Sequence, residues 1–172
     1  MKINYHKYNK MKNSILKFFL PLFALNIFYS CTPPPIFDET PSIEWNRFTT
    51  DTVQQFTGEV SLLVNFTDGD GDLGSTDSDS MPNMLIIDSR TDDTIYYRIP
   101  NIPKQGAANG ISGEIEVDLS TICCMVPGFP ILCGEIPGRS DSVVYKIKIR
   151  DQANRWSNEI ETNPLKIRCY TR

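Results

Sequence analysis

Hydrophobic residues in this chain recur at every second position and not at every third or fourth. Val60, Leu62, Val64 and Phe66 alternate with Glu59, Ser61, Leu63 and Asn65, and Val143, Tyr145, Ile147 and Ile149 alternate with Val144, Lys146, Lys148 and Arg150. Side chains along a strand point to opposite faces in turn, so this period gives each segment one face for a core and one for water. The same reading predicts strands at 43–47, 84–88, 94–99, 113–119 and 159–167, with Gly, Pro, Asn, Asp and Ser concentrated between them. From residue 31 onward no segment carries a helical stripe with caps.

Seven short strands in one domain, residues 42–172, predict an all-β fold: a two-sheet antiparallel sandwich of immunoglobulin or fibronectin type. If each strand runs antiparallel to the one before, the loops at 67–83, 100–112 and 151–158 share one end. The loop at 120–141 and the end of the last strand share the other.

The segment before the strands reads as an address. Lys12 and Lys17 precede an apolar run at 18–28, too short to span a bilayer, and Tyr29-Ser30 lead to Cys31. This resembles the lipobox of bacterial lipoproteins, with Phe28 where Leu is usual; the resemblance implies cleavage before Cys31 and a diacylglycerol on its thiol. The alternative is an ordinary secretory signal cut elsewhere. Residues 32–41 hold four prolines and two acids, a composition for an extended tether.

Charge and composition then remove whole classes of function. The leader carries five lysines and no acids, so residues 31–172 hold 12 basic and 21 acidic side chains, a net charge of −9. Such a surface repels nucleic acid and anionic lipid and favours cations. The single histidine, His6, lies in the leader. Histidine-based nucleophile activation and histidine-ligated metals are therefore excluded from the domain.

The sharpest motif is Asp68-Gly69-Asp70-Gly71-Asp72-Leu73-Gly74, followed by Asp77 and Asp79. Carboxylates at alternate positions, with glycines free to turn between them, can wrap a hard cation, and calcium accepts six to eight oxygens in tolerant geometry. The expected ligands are Asp68, Asp70 and Asp72 with the Leu73 carbonyl, supplemented by Asp77, Asp79 or Asp151. The start of the loop is similar to the calcium loops of EF-hands and thrombospondin-type repeats, although Leu73 stands where an EF-hand has glycine. An Asp/Gly turn that needs no ion stays open as the alternative.

Four further cysteines, Cys123, Cys124, Cys133 and Cys169, read as two disulfides in an exported chain. Adjacent cysteines seldom pair. One of Cys123 and Cys124 is thus expected to join Cys133 and the other Cys169, with Cys124–Cys133 and Cys123–Cys169 favoured. The apolar loop they enclose suits either a partner-binding tip or a lid stapled over the core. Residues 151–158 resemble the Asp-x-Ala-Gly-Asn-x-Ser-Asn turn of bacterial immunoglobulin-like domains, with Asn154 and Arg155 in place of Gly-Asn. They suit a plain turn between strands, or one that lends the aspartate loop an oxygen from Asp151 or Asn154.

Together the lipobox, the tether, the Asp-Gly-Asp-Gly-Asp-Leu-Gly loop and this turn resemble small envelope lipoproteins of Gram-negative bacteria with immunoglobulin-like domains. The resemblance implies a sandwich at the outer membrane and carries no activity with it; the lack of an acidic pair directly after Cys31 points to the periplasmic face. The expected function is a non-enzymatic, lipid-anchored module with bound calcium and a protein or glycan partner. An accessory carbohydrate-binding subunit and a carboxylate-based hydrolase are the alternatives.

Overall fold

The computed structural model describes residues 36–75, 81–103, 110–120, 122–134 and 138–169. Cys31, Asp77 and Asp79 lie outside the described residues. All twelve elements are strands: β1 (Ser42–Phe48), β2 (Thr52–Gln54), β3 (Val60–Asp68), β4 (Met84–Asp88), β5 (Thr94–Tyr97), β6 (Ile111–Leu119), β7 (Met125–Val126), β8 (Phe129–Cys133), β9 (Ser140–Val143), β10 (Tyr145–Ile149), β11 (Ile160–Glu161) and β12 (Leu165–Arg168). Two sheets, β1-β3-β6 and β11-β10-β4-β5, carry the alternating segments, and two small ladders, β2-β12-β9 and β7-β8, complete them. The sandwich fold is as the alternation predicts.

The inward rows meet in a single core. Ile43, Leu62, Val64 and Phe66 from the first sheet, and Met84, Ile86, Tyr145, Ile147 and Ile149 from the second, belong to one buried cluster. Each such aliphatic or aromatic side chain contributes about 1.5–3 kcal/mol by leaving water.

Seven strands become twelve for two reasons. The short β2 and the β7-β8 hairpin lie where no alternation is visible, and the last two predicted strands each divide. Leu165↔Val143 and Ile147↔Ile160 belong to different ladders, so the chain passes from one sheet to the other at Val144 and returns likewise at 162–164. Pro164 has no N–H to donate to a ladder, which suits it to that break. The hydroxyl oxygen of Thr162 instead accepts the amide hydrogen of Tyr145 at 3.0 Å.

Both disulfides form, but with exchanged partners: Cys123 joins Cys133 and Cys124 joins Cys169, at Cα separations of 5.5 and 5.7 Å. Register explains the correction. Met125 stands opposite Cys133, which puts Cys133 on the face that Met125 shares with Cys123, two residues away. Cys124 faces the other way, is fully buried in the core cluster and meets Cys169 at the end of β12. Nearby, Arg90 binds Asp88 at 2.6 Å and Asp141 at 2.8 Å and donates to the Cys123 carbonyl at 3.2 Å, tying this end of the sandwich together.

Non-reducing peptide mapping should recover Cys123–Cys133 and Cys124–Cys169. Replacing Cys124 and Cys169 together by Ser should cost about 4 kcal/mol of unfolding free energy, against about 3 kcal/mol for the Cys123 and Cys133 pair, because the loop closed is longer. Equal losses would contradict the chain-entropy account.

Candidate metal centre

The aspartate loop leaves β3 at Asp68 and is held by two isolated bridges, Leu73 with Asp151 and Ser75 with Pro100, while Arg150 and Trp156 close the turn that carries Asp151. The loops after β3, β5 and β10 thus share one end of the sandwich, as strand parity requires. Residues 36–41, expected as the end of a free tether, instead lie against this loop: the Gly69 amide donates to the Asp38 carbonyl at 2.7 Å, and Pro41 is buried. A Cβ on Gly69 would stand 2.4 Å from the Phe37 carbonyl oxygen, so only glycine permits that approach.

Leu73 explains the departure from an EF-hand loop. Its side chain is fully buried in the core, where glycine would leave a cavity. Its amide donates to Asp68 Oδ2 at 2.9 Å. Its carbonyl, expected as a metal ligand, is engaged by the Ile102 amide at 3.4 Å.

Asp68, Asp72 and Asp151 each offer a carboxylate oxygen within 4.8 Å of the other two. Asp68 is fully buried and Asp151 nearly so. Oδ1 of Asp68, Oδ1 of Asp70 and Oδ1 of Asp72 are all buried with no hydrogen-bond partner. Ionised carboxylates only accept, so nothing within the cluster satisfies these atoms while the acids are charged. Asp70, expected as a main ligand, leans instead to Arg155.

Arg155 is the residue that the sequence reading missed. Its Nε donates to Asp151 Oδ2 at 2.8 Å, its Nη1 to Glu39 at 2.9 Å and its Nη2 to Asp70, with Asp72 3.9 Å away. Its own amide donates to Asp151 Oδ1 at 2.7 Å. Asn154 sets this geometry by adopting φ 67°, the left-handed conformation that the related turn assigns to glycine and that Asn tolerates. Asn154 thus shapes the turn. Asn158 ties the turn to β1, accepting from the Ile43 amide and donating to its carbonyl at 2.9 Å each.

The electrostatics follow. Burial, then the charges of Asp70 and Asp72, push the Asp68 carboxyl up to about 6. Burial and the charges of Asp151 and Asp70 raise Asp72 as well. For Asp70 burial acts upward too, but the Arg155 hydrogen bond and charge outweigh it and hold the carboxyl below its ordinary value. One guanidinium therefore settles Asp70 and leaves Asp68 and Asp72 strained by charge. Oxygen-only ligands of this density suit a hard cation.

No family model matches this chain. No curated protein matches it either.

The raised Asp68 carboxyl has a measurable sign. Between 3.8 and about 6 the folded chain holds more protons at Asp68 than the unfolded one, so this group's contribution to stability falls as pH rises through that window. Asp70 works oppositely, its contribution being lost only as pH falls below the ordinary carboxylate range. In chelator, Asp68→Asn should therefore gain stability relative to wild type on going from pH 5 to pH 7.5, measured by thermal unfolding at each pH. A constant difference would mean that Asp68 is not strained.

Proposed function

We propose that this chain is a lipid-anchored module of the cell envelope, acylated at Cys31, whose β-sandwich binds calcium through Asp68, Asp72 and Asp151 and serves as a binding platform for a protein or glycan partner. The observation that carries the calcium reading is the set of three buried, unpartnered carboxylate oxygens. Asp151 retains a lone pair on each oxygen beyond the hydrogen bonds from Arg155. Asp70 Oδ1, which Arg155 does not engage, is a further donor.

The leader and the proline-rich segment around Cys31 support the anchor reading. The chain enters the domain beside the metal loop, only five residues after Cys31, with Asp38 and Glu39 held by Gly69 and Arg155. A hydrolase is the weaker reading, because among the described residues the one carboxyl with a strongly raised titration point, Asp68, has no exposed surface for a substrate to reach. The proposed role is therefore binding, not catalysis.

Calcium at a hundred times its dissociation constant should stabilise the fold by about 2.7 kcal/mol, a rise of several degrees in Tm. Asp72→Asn should abolish that rise yet leave the chelated protein at least as stable as wild type, since it removes a repelling charge. If chelator leaves the wild-type melting curve unchanged, the loop is a turn and not a site.

A fatty-acid probe supplied to expressing cells should label the wild-type chain and not Cys31→Ser. Equal labelling of both would remove the lipoprotein reading.

A further inference from the structure

At the other end of β3 the backbone holds a bulky residue in the left-handed region. Phe56 adopts φ 62°, a conformation that costs a bulky residue energy, and nearly half of its surface is exposed. Several interactions hold it there. Its amide donates to the Ile122 carbonyl at 2.9 Å, and the flanking amides of Thr57 and Gly58 donate to the carbonyls of Gln55 and Gln54 at 2.8 Å each. The buried Gln55 side chain accepts from the Cys124 amide at 3.0 Å, and a Cβ on Gly58 would collide with Val53 at 2.3 Å. The turn is built to present one aromatic ring to solvent.

Phe56 borders a groove of about 720 Å³, formed by Thr49, the turn before β3, the start of β3 and the end of β6. This volume lies within the usual range of small-ligand sites, about 300–1,000 Å³. The groove is lined by the acids Glu59 and Asp118 and the hydroxyl residues Thr49, Thr57, Ser61 and Ser120, with no lysine or arginine among the described residues that line it. Ser61 Oγ donates to Asp118 Oδ1 at 2.7 Å, which orients that carboxylate and leaves its second oxygen to accept from a ligand.

We infer that this groove binds a neutral saccharide, its apolar C–H face stacked on Phe56 and its hydroxyls bonded to Asp118, Glu59 and the surrounding hydroxyls. The chemistry selects the class. Carboxylates without a cation reject anions. The Thr49 and Ser61 hydroxyls already donate within the protein, but those of Thr57 and Ser120 remain to donate and accept, matching a polyol; a cationic ligand can only donate and would leave these two donors unused. The ring supplies the apolar contact that orients such ligands at low entropic cost. The inference rests on the reading of the domain as a binding module and names its ligand. It uses no residue of the metal centre, from which nine residues of β3, about 26 Å of extended chain, separate it.

The test is a titration of the full chain, purified in detergent with calcium present, against maltohexaose, cellohexaose, laminarihexaose and mannohexaose, with spermine and an octalysine peptide as cationic probes. At least one hexasaccharide should bind, and Phe56→Asn should weaken it tenfold or more. The same variant should melt at or above the wild-type temperature, because Asn accepts positive φ, whereas a packing role for Phe56 would lower it. Asp118→Asn should weaken the saccharide severalfold, and Asp72→Asn should leave it unchanged. Binding of no hexasaccharide, binding that survives Phe56→Asn, a lowered Tm for that variant, or binding of the cationic probes alone would each overturn the proposal. Because the calcium effect on Tm is read in the same preparation, loss of either reading is distinguishable from loss of the other.

Discussion

Like charges cannot be buried side by side without a counter-charge, and the loop end of this sandwich is organised around that constraint. Three carboxylates within 4.8 Å of one another repel by about 3–4 kcal/mol per pair at an effective dielectric of about 20. The chain answers part of this with one side chain. Arg155 reaches Glu39, Asp70 and Asp151 together, so a single guanidinium links the entering chain, the aspartate loop and the turn after β10. What it leaves unanswered are the inner oxygens of Asp68, Asp70 and Asp72, and these are where a hard cation fits.

The constraint reaches beyond the loop. Asp68 is the last residue of β3, the central strand of its sheet, and Leu73 is part of the core, so the carboxylates cannot simply swing into solvent. The loop is anchored at both ends by hydrophobic packing, and its charges must be neutralised in place. A cation there would brace the contact between residues 36–41 and the domain without touching the core directly.

Much of this was legible in the sequence, and what was not has physical causes. Alternation at 60–66 and 145–149 gives the strands because burial on one face demands it, and strand parity brings Asp151 to the aspartate loop because antiparallel strands return loops to the same end. The sheet switch at Val144 is not legible, since alternation is unbroken through 143–149 and only the ladders reveal the change of partner. Arg155 is hidden because its reach depends on the positive φ of Asn154, although that Asn in a glycine position was the available signal. The disulfide partners depend on the register of Met125 against Cys133, a one-residue choice that spacing does not encode. Phe56 sits in a turn with no periodicity, where only a lone aromatic two residues before Gly58 marks it.

Asp151 is the residue that separates a folded metal centre from a merely acidic loop, because it comes from a turn more than seventy residues away and does not belong to the aspartate motif. Equilibrium binding of calcium to the full chain at neutral pH, compared between wild type and Asp151→Asn, tests the account most directly. One calcium per wild-type chain, with affinity lost by tenfold or more in Asp151→Asn, is the predicted result. Binding that is absent from the wild type, or unaltered by the substitution, would contradict it.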